Sequence, residues 1–151
     1  MNKFKIVIGC DHGGFDLKEE IVVELKSWGY EVVDVGCFSK KSYDYPDAGH
    51  QVSKAVANGT IDRGILICTT GIGMSMVANR YKGVRAALCR NCDMTYLTRI
   101  HNDANVIVFG ARYTTILDAR AMLKVFLESQ FSEVDRHKRR VEKIEKCLGA
   151  E

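Results

Sequence analysis

The chain has 151 residues, 46% of them hydrophobic and 27% charged, with a formal net charge of +3, the composition of an ordinary globular protein. A single domain of this length buries roughly two-thirds of its unfolded surface and needs no disulfide or metal staple to fold. No apolar run approaches the roughly 20 residues of a membrane span, and the excess charge is concentrated in "RHKRR" at Arg136–Arg140 rather than spread as a nucleic-acid footprint.

The opening "MNKFKIVIGCDHGG" holds an apolar stretch too short for a signal peptide. Of the six cysteines, Cys10, Cys68 and Cys89 each end an apolar run, a position where buried reduced thiols are common. The expectation is one cytoplasmic domain over residues 1–151, with neither membrane nor nucleic acid as partner.

In chain order, "FKIVIG" (Phe4–Gly9) predicts a first strand. Leu17, Ile21, Leu25 and Trp28 then recur at helical spacing, with Lys18, Glu19, Glu20 and Lys26 on the other faces. "EVVDVG" (Glu31–Gly36) predicts a second strand and Ala48–Ala57 a second helix. "GILIC" (Gly64–Cys68), a helix over Gly73–Tyr81, "VRAALC" (Val84–Cys89) and a helix over Met94–Ile100 continue the alternation. "NVIVFG" (Asn105–Gly110) and a helix over Ile116–Glu128 complete five β–α units. Near-continuous apolar strands are those covered on both faces, so the pattern predicts a doubly wound α/β domain on a parallel sheet. A last helix within 132–149 carries Val134, His137, Val141, Ile144 and Leu148 as its stripe. No strand follows it, so it is expected to pack across the sheet edge or on a second subunit, as in a homo-oligomer.

Ligands of open α/β sheets bind beyond the carboxyl ends of the strands. There the chain reads "CDHGG", "CTTGIGMS" and "CRNCD", with "RIHNDAN" just before the fifth strand. In "CTTGIGMS", Gly71 and Gly73 let backbone approach a ligand, and the amides entering a helix make an anion site. No Gly-Lys-Ser/Thr follows and the third glycine of a dinucleotide fingerprint is missing. Position 74 is Met, not the arginine of a cysteine phosphatase. The same dipole would favour a thiolate at Cys68, yet from spacing alone a buried hydrophobe and a base or nucleophile fit equally. Cys10 reads as core, and nothing argues against a passive role for Cys37 and Cys147. Cys89–Cys92 is a lone C-x-x-C, half of a zinc site, to which His12 and His101 would have to be recruited. His12 and His101 lie in loops that can converge and can trade protons near neutral pH. Arg136 and Arg140, four apart on one helix face, suit a phosphate or a merely solvated basic face.

"GCDHGG", "DYPDAG", "GILICTTGIGMS", "RIHNDANVIVFGAR" and "RHKRRVEKI" resemble, in order and over nearly the whole chain, the type B ribose-5-phosphate isomerases. Their relatives include the galactose-6-phosphate and allose-6-phosphate isomerases. The resemblance implies an α/β/α sandwich, Rossmann-like, on a five-stranded parallel sheet of order 2-1-3-5-4. It implies no metal or other cofactor, a phosphorylated sugar as substrate, and a homodimer with shared active sites, able to pair into a tetramer. The implied reaction is an intramolecular oxidoreduction interconverting ribose 5-phosphate and ribulose 5-phosphate through a cis-enediolate. By this resemblance Cys68 is the base and Thr70 assists proton transfer at the substrate oxygens. The amides of Gly71, Ile72, Gly73, Met74 and Ser75 form the anion hole. His101 opens the sugar ring, Asp11 and Tyr45 line the sugar with Asn102, and His12, Arg112, Arg136 and Arg140 grip the phosphate. Ser75 stands where one branch of the family carries a glutamate base, which assigns the chain to the cysteine branch. The chain departs from its relatives at Thr69, often glycine there, where a β-branched residue does not readily take a positive φ.

Overall fold

A computed structural model describes residues 3–146. Five strands, β1 (Lys5–Cys10), β2 (Glu31–Asp34), β3 (Arg63–Cys68), β4 (Ala86–Leu88) and β5 (Val106–Gly110), form one parallel sheet in the order β2-β1-β3-β5-β4. Among the described residues six α-helices accompany them: α1 (Phe15–Ser27), α2 (Tyr45–Ala57), α3 (Ile72–Ala78), α4 (Cys92–Asn102), α5 (Ile116–Glu128) and α6 (Asp135–Glu145). None of the described helices is long and apolar enough to cross a membrane.

Side-chain alternation along the strands divides the core into two layers. Ile6, Ile8, Ile65, Ile67, Ile107 and Phe109 face α1 and α5, whose Leu17, Ile21, Leu25, Leu123 and Phe126 complete that layer. Val7, Leu66, Cys68, Val106 and Val108 face the other way, against Val52 of α2 and Met74 of α3. Each such side chain, removed from water, contributes about 1.5–3 kcal/mol. The period of two thus puts Cys10 in the first layer and Cys68 in the second.

Several boundaries shift for local reasons. Helix α2 starts at Tyr45 rather than Ala48, because Pro46 sits in its first turn, where the missing N–H costs nothing. Helix α4 starts two residues before Met94, where Asn91 caps the Met94 N–H at 2.8 Å. The fourth strand is shorter than Val84–Cys89, and α3 stops before Tyr81. The Asn79 side chain beyond α3 bonds both ways with Ala86, its amide to the carbonyl at 2.9 Å and its oxygen to the N–H at 2.8 Å, standing in for a neighbouring strand.

Lys18 overturns an expectation. Instead of facing solvent it is fully buried, its Nζ 2.5 Å from Asp34 and 2.8 Å from Glu19, between the rings of Phe15 and Phe38. It sits on the flank of the Leu17 stripe, and Asp34 at the end of β2 supplies its counter-charge. Helix α6 lies beside α4 at the β4 edge of the sheet, where Glu145 pairs with Arg85 at 3.3 Å and accepts the Gly83 N–H at 3.0 Å. Cys147 and Leu148, with the end of the 132–149 segment, lie outside the described residues.

Candidate active site

The carboxyl ends of β1 and β3 open into a cleft of about 460 Å³ lined by Asp11, Tyr45, Cys68, Thr69, Thr70, Ile72, Gly73 and Met76. A larger groove of about 540 Å³, lined by Phe4, Tyr30, Arg63, Arg99 and Leu127 among others, lies toward the amino ends of the strands. It lacks a cysteine and the glycine-rich turn, which makes the smaller cleft the candidate site.

Cys68 ends β3 and is 4% exposed. Its Sγ accepts the Gly71 N–H at 3.1 Å, a donor that stabilises negative charge on the sulfur when it forms. That turn is possible because Gly71 takes φ 79°, where a side chain would be strained and an added Cβ would stand 3.1 Å from the Gly110 nitrogen. Gly73 in turn keeps the cleft open, since a Cβ there would meet the Tyr45 ring at 2.6 Å.

The remaining amides of the loop divide into two groups. Ile72 N–H donates to Thr70 Oγ1 at 3.3 Å and Ser75 N–H to the Gly71 carbonyl at 3.0 Å. Ser75 Oγ donates to the Ile72 carbonyl at 2.8 Å, and the Met74 side chain is in the core. The Gly73 and Met74 N–H groups have no acceptor among the described residues, at a helix start where the dipole favours an anion.

Thr69, the point of departure from the relatives, takes no positive φ; among the described non-glycine residues only Asp103 and Glu133 do. The left-handed step falls at Gly71 instead, and the Thr69 carbonyl accepts the Arg112 N–H at 3.0 Å.

Across the cleft, Asp11 is 6% exposed and caps the turn after β1, its Oδ1 accepting the Gly14 N–H at 3.1 Å. His12 Nδ1 lies 3.1 Å from the Tyr43 N–H and 3.3 Å from the Tyr43 carbonyl, which ties the ring to the loop before α2. Tyr45 opens α2 with its ring over Gly73.

The chain brings Asp11, Tyr45, Cys68, Thr70, Ile72 and Gly73 together in one cleft, but not the other predicted site residues. His101 and Asn102 sit in the last turn of α4, and Arg136 and Arg140 on α6. Arg112 follows β5, exposed. None of these five lines the cleft of its own chain. His101 instead packs on His137, ring centroids 4.5 Å apart. Sequence reasoning missed Thr69 and Met76 as lining residues; Met76, four residues after exposed Ile72, shares its helix face.

The remaining cysteines are free where described. Burial, together with the Cys37 sulfur 3.8 Å away, pushes the Cys10 thiol strongly up, and burial raises Cys89 as well, which marks both as structural thiols. Cys89 is buried while Cys92 is exposed, and no group of three His, Cys, Asp or Glu among the described residues could hold a metal ion.

Comparison with known proteins agrees over nearly the full length. The Ribose/Galactose Isomerase family model matches residues 6–144. Ribose-5-phosphate isomerase B of Escherichia coli (strain K12) is 46% identical over 93% of this chain and 93% of that protein. Galactose-6-phosphate isomerase subunit LacB of Clostridium acetobutylicum is 36% identical over 95% of this chain and 83% of that protein. Among solved structures, a ribose 5-phosphate isomerase from Thermotoga maritima superposes with a TM-score of 0.92 at 43% identity, covering 95% of this chain and 99% of that one. The type B ribose 5-phosphate isomerase of Trypanosoma brucei gives a TM-score of 0.92 at 42% identity, covering 95% and 98%. By sequence and by fold, the chain belongs to the ribose/galactose isomerase family.

Proposed function

We propose that the protein is an aldose–ketose isomerase interconverting ribose 5-phosphate and ribulose 5-phosphate, with Cys68 as base. The observation that carries this reading is the Cys68 sulfur at the foot of the Gly71–Ser75 turn, facing an open cleft with Asp11 and Thr70. The Cys68 thiolate removes the proton from C2 of the open-chain aldose; the C2–H electron pair forms the C1=C2 double bond and the C1=O1 π pair moves onto O1, giving a cis-enediolate. The same sulfur returns the proton to C1, while Thr70 helps move the hydroxyl proton between O2 and O1. The free Gly73 and Met74 N–H groups are the donors for the developing oxyanion, each worth about 3–4 kcal/mol in such a role.

We further infer that the active site is completed by a second copy of the chain. Ring opening and phosphate binding are assigned to His101, Arg136 and Arg140, with Asn102 on the sugar, yet these residues lie outside the cleft of their own chain. Ile72, Met76, Met94, Tyr96 and Leu97 leave large apolar groups exposed on α3 and α4, the kind of surface that a partner covers. In this arrangement His12, which follows Asp11, and Arg112, whose N–H bonds to the Thr69 carbonyl, are taken as the phosphate grip at the rim of the Cys68 cleft. The free thiols fit a reducing, cytoplasmic setting.

A 6-phosphohexose is the second substrate class, favoured by the similarity to the LacB subunit. One extra carbon changes the pocket length required and not the chemistry. Steady-state turnover on ribose 5-phosphate, allose 6-phosphate and galactose 6-phosphate decides between them. The pentose ester is expected to give the highest kcat/KM, and a hexose ester ahead of it would reassign the substrate.

A further inference from the structure

His137 takes part in none of the steps above, yet it is one of few polar side chains removed from solvent, at 6% exposure. Its ring lies against His101 with centroids 4.5 Å apart and planes tilted by 50°. Its Nδ1 is 2.6 Å from Ser132 Oγ. Ser132 in turn donates its N–H to the carbonyl of Ile100, the residue before His101, at 3.3 Å. The four residues close a circuit, Ile100, His101, His137 and Ser132, that fastens the start of α6 to the last turn of α4.

The His101 imidazole has no hydrogen-bond partner of its own among the described residues, so its orientation rests on that ring contact. We propose that His137 is a positioning residue, holding the His101 imidazole in the orientation that opens and closes the sugar ring. The proposal rests on the ring-opening role given to His101 above. It needs no proton transfer through His137, only a ring that does not turn. Burial, with Arg136, His101 and Arg140 close by, lowers the His137 pKa from its ordinary value.

The test separates ring opening from enolisation. Ribose 5-phosphate is mostly a closed furanose and must be opened. Ribulose 5-phosphate has its O5 esterified, leaving no hydroxyl to close a five-membered ring on C2, and it enters as an open chain. His137→Phe keeps the ring bulk and removes the nitrogens, and Ser132→Ala, at an exposed position, removes only the anchor. Two rates are measured for each: turnover of ribose 5-phosphate, and exchange of solvent deuterium into C1 of ribulose 5-phosphate. The expected result is a roughly 10- to 100-fold loss in the first for His137→Phe, a smaller loss for Ser132→Ala, and deuterium exchange near the wild-type rate for both. Equal losses in the two assays, or no loss in either, would overturn the proposal. His101→Asn, measured alongside, should show the same split more strongly. If it is fully active, the role given to His101 falls, and the positioning role with it.

Discussion

Cys68 was ambiguous from spacing alone, because a cysteine ending an apolar strand is as well suited to filling core as to catalysis. The alternation in "GILIC" places it on the α2–α3 side of the sheet, and it is the turn that follows that supports the catalytic use. There the Gly71 N–H points at the sulfur at 3.1 Å and the Gly73 and Met74 amides remain open. Thr69 shows what a single departure from a pattern can and does not do, since the left-handed residue lies two positions on, at Gly71. Cys68→Ala is expected to lower kcat by roughly 10³-fold, while binding of ribose 5-phosphate, measured by calorimetry, stays within a few-fold of wild type. Near-normal turnover by that variant would remove Cys68 as the base.

At the scale of elements, hydrophobic period was a reliable guide to which segments form strands and helices. It was a poor one to charged positions on the flank of a stripe. Lys18 reads as solvent-facing from its neighbours in sequence; its burial depends on Asp34, sixteen residues on, at the end of a different element. Burial alone would lower the Lys18 pKa, but the bonds to Asp34 and Glu19 and the Asp34 charge together hold it above the usual 10.5. Lys18→Met would leave Asp34 without its partner and is expected to cost about 2–3 kcal/mol, less than for a fully enclosed pair because Asp34 is 23% exposed. A lysine with a raised folded-state pKa adds stability below its unfolded value and loses it as pH rises through the folded one. Urea denaturation should therefore separate wild type from Lys18→Met most at pH 8, the gap narrowing above pH 10.5. A gap that widens there would contradict the assignment.

For the molecule as a whole, the five β–α units and the cluster of polar residues at strand ends were legible in the sequence. The strand order came from the family resemblance, and the pairing β2-β1-β3-β5-β4 agrees with it. The placing of α6 was less legible, because a charged helix with a 3–4 stripe fits either its own sheet edge or a neighbour. It does the first through His137 and Glu145, and leaves Arg136 and Arg140 exposed. Contacts such as His101 with His137, between residues of different helices, leave no trace in local periodicity. On the proposed mechanism the site is divided, with Cys68 and the amide nest at one place on the chain and His101 and the arginine pair at another. Complementation between two inactive chains tests this division directly. Cys68→Ala and His101→Asn proteins, each nearly inactive on ribose 5-phosphate, are mixed, unfolded and refolded together. Random pairing makes about half of the dimers mixed, each with one intact site, so about a quarter of wild-type turnover should return. A mixture no more active than the two variants measured separately would contradict a site shared between chains.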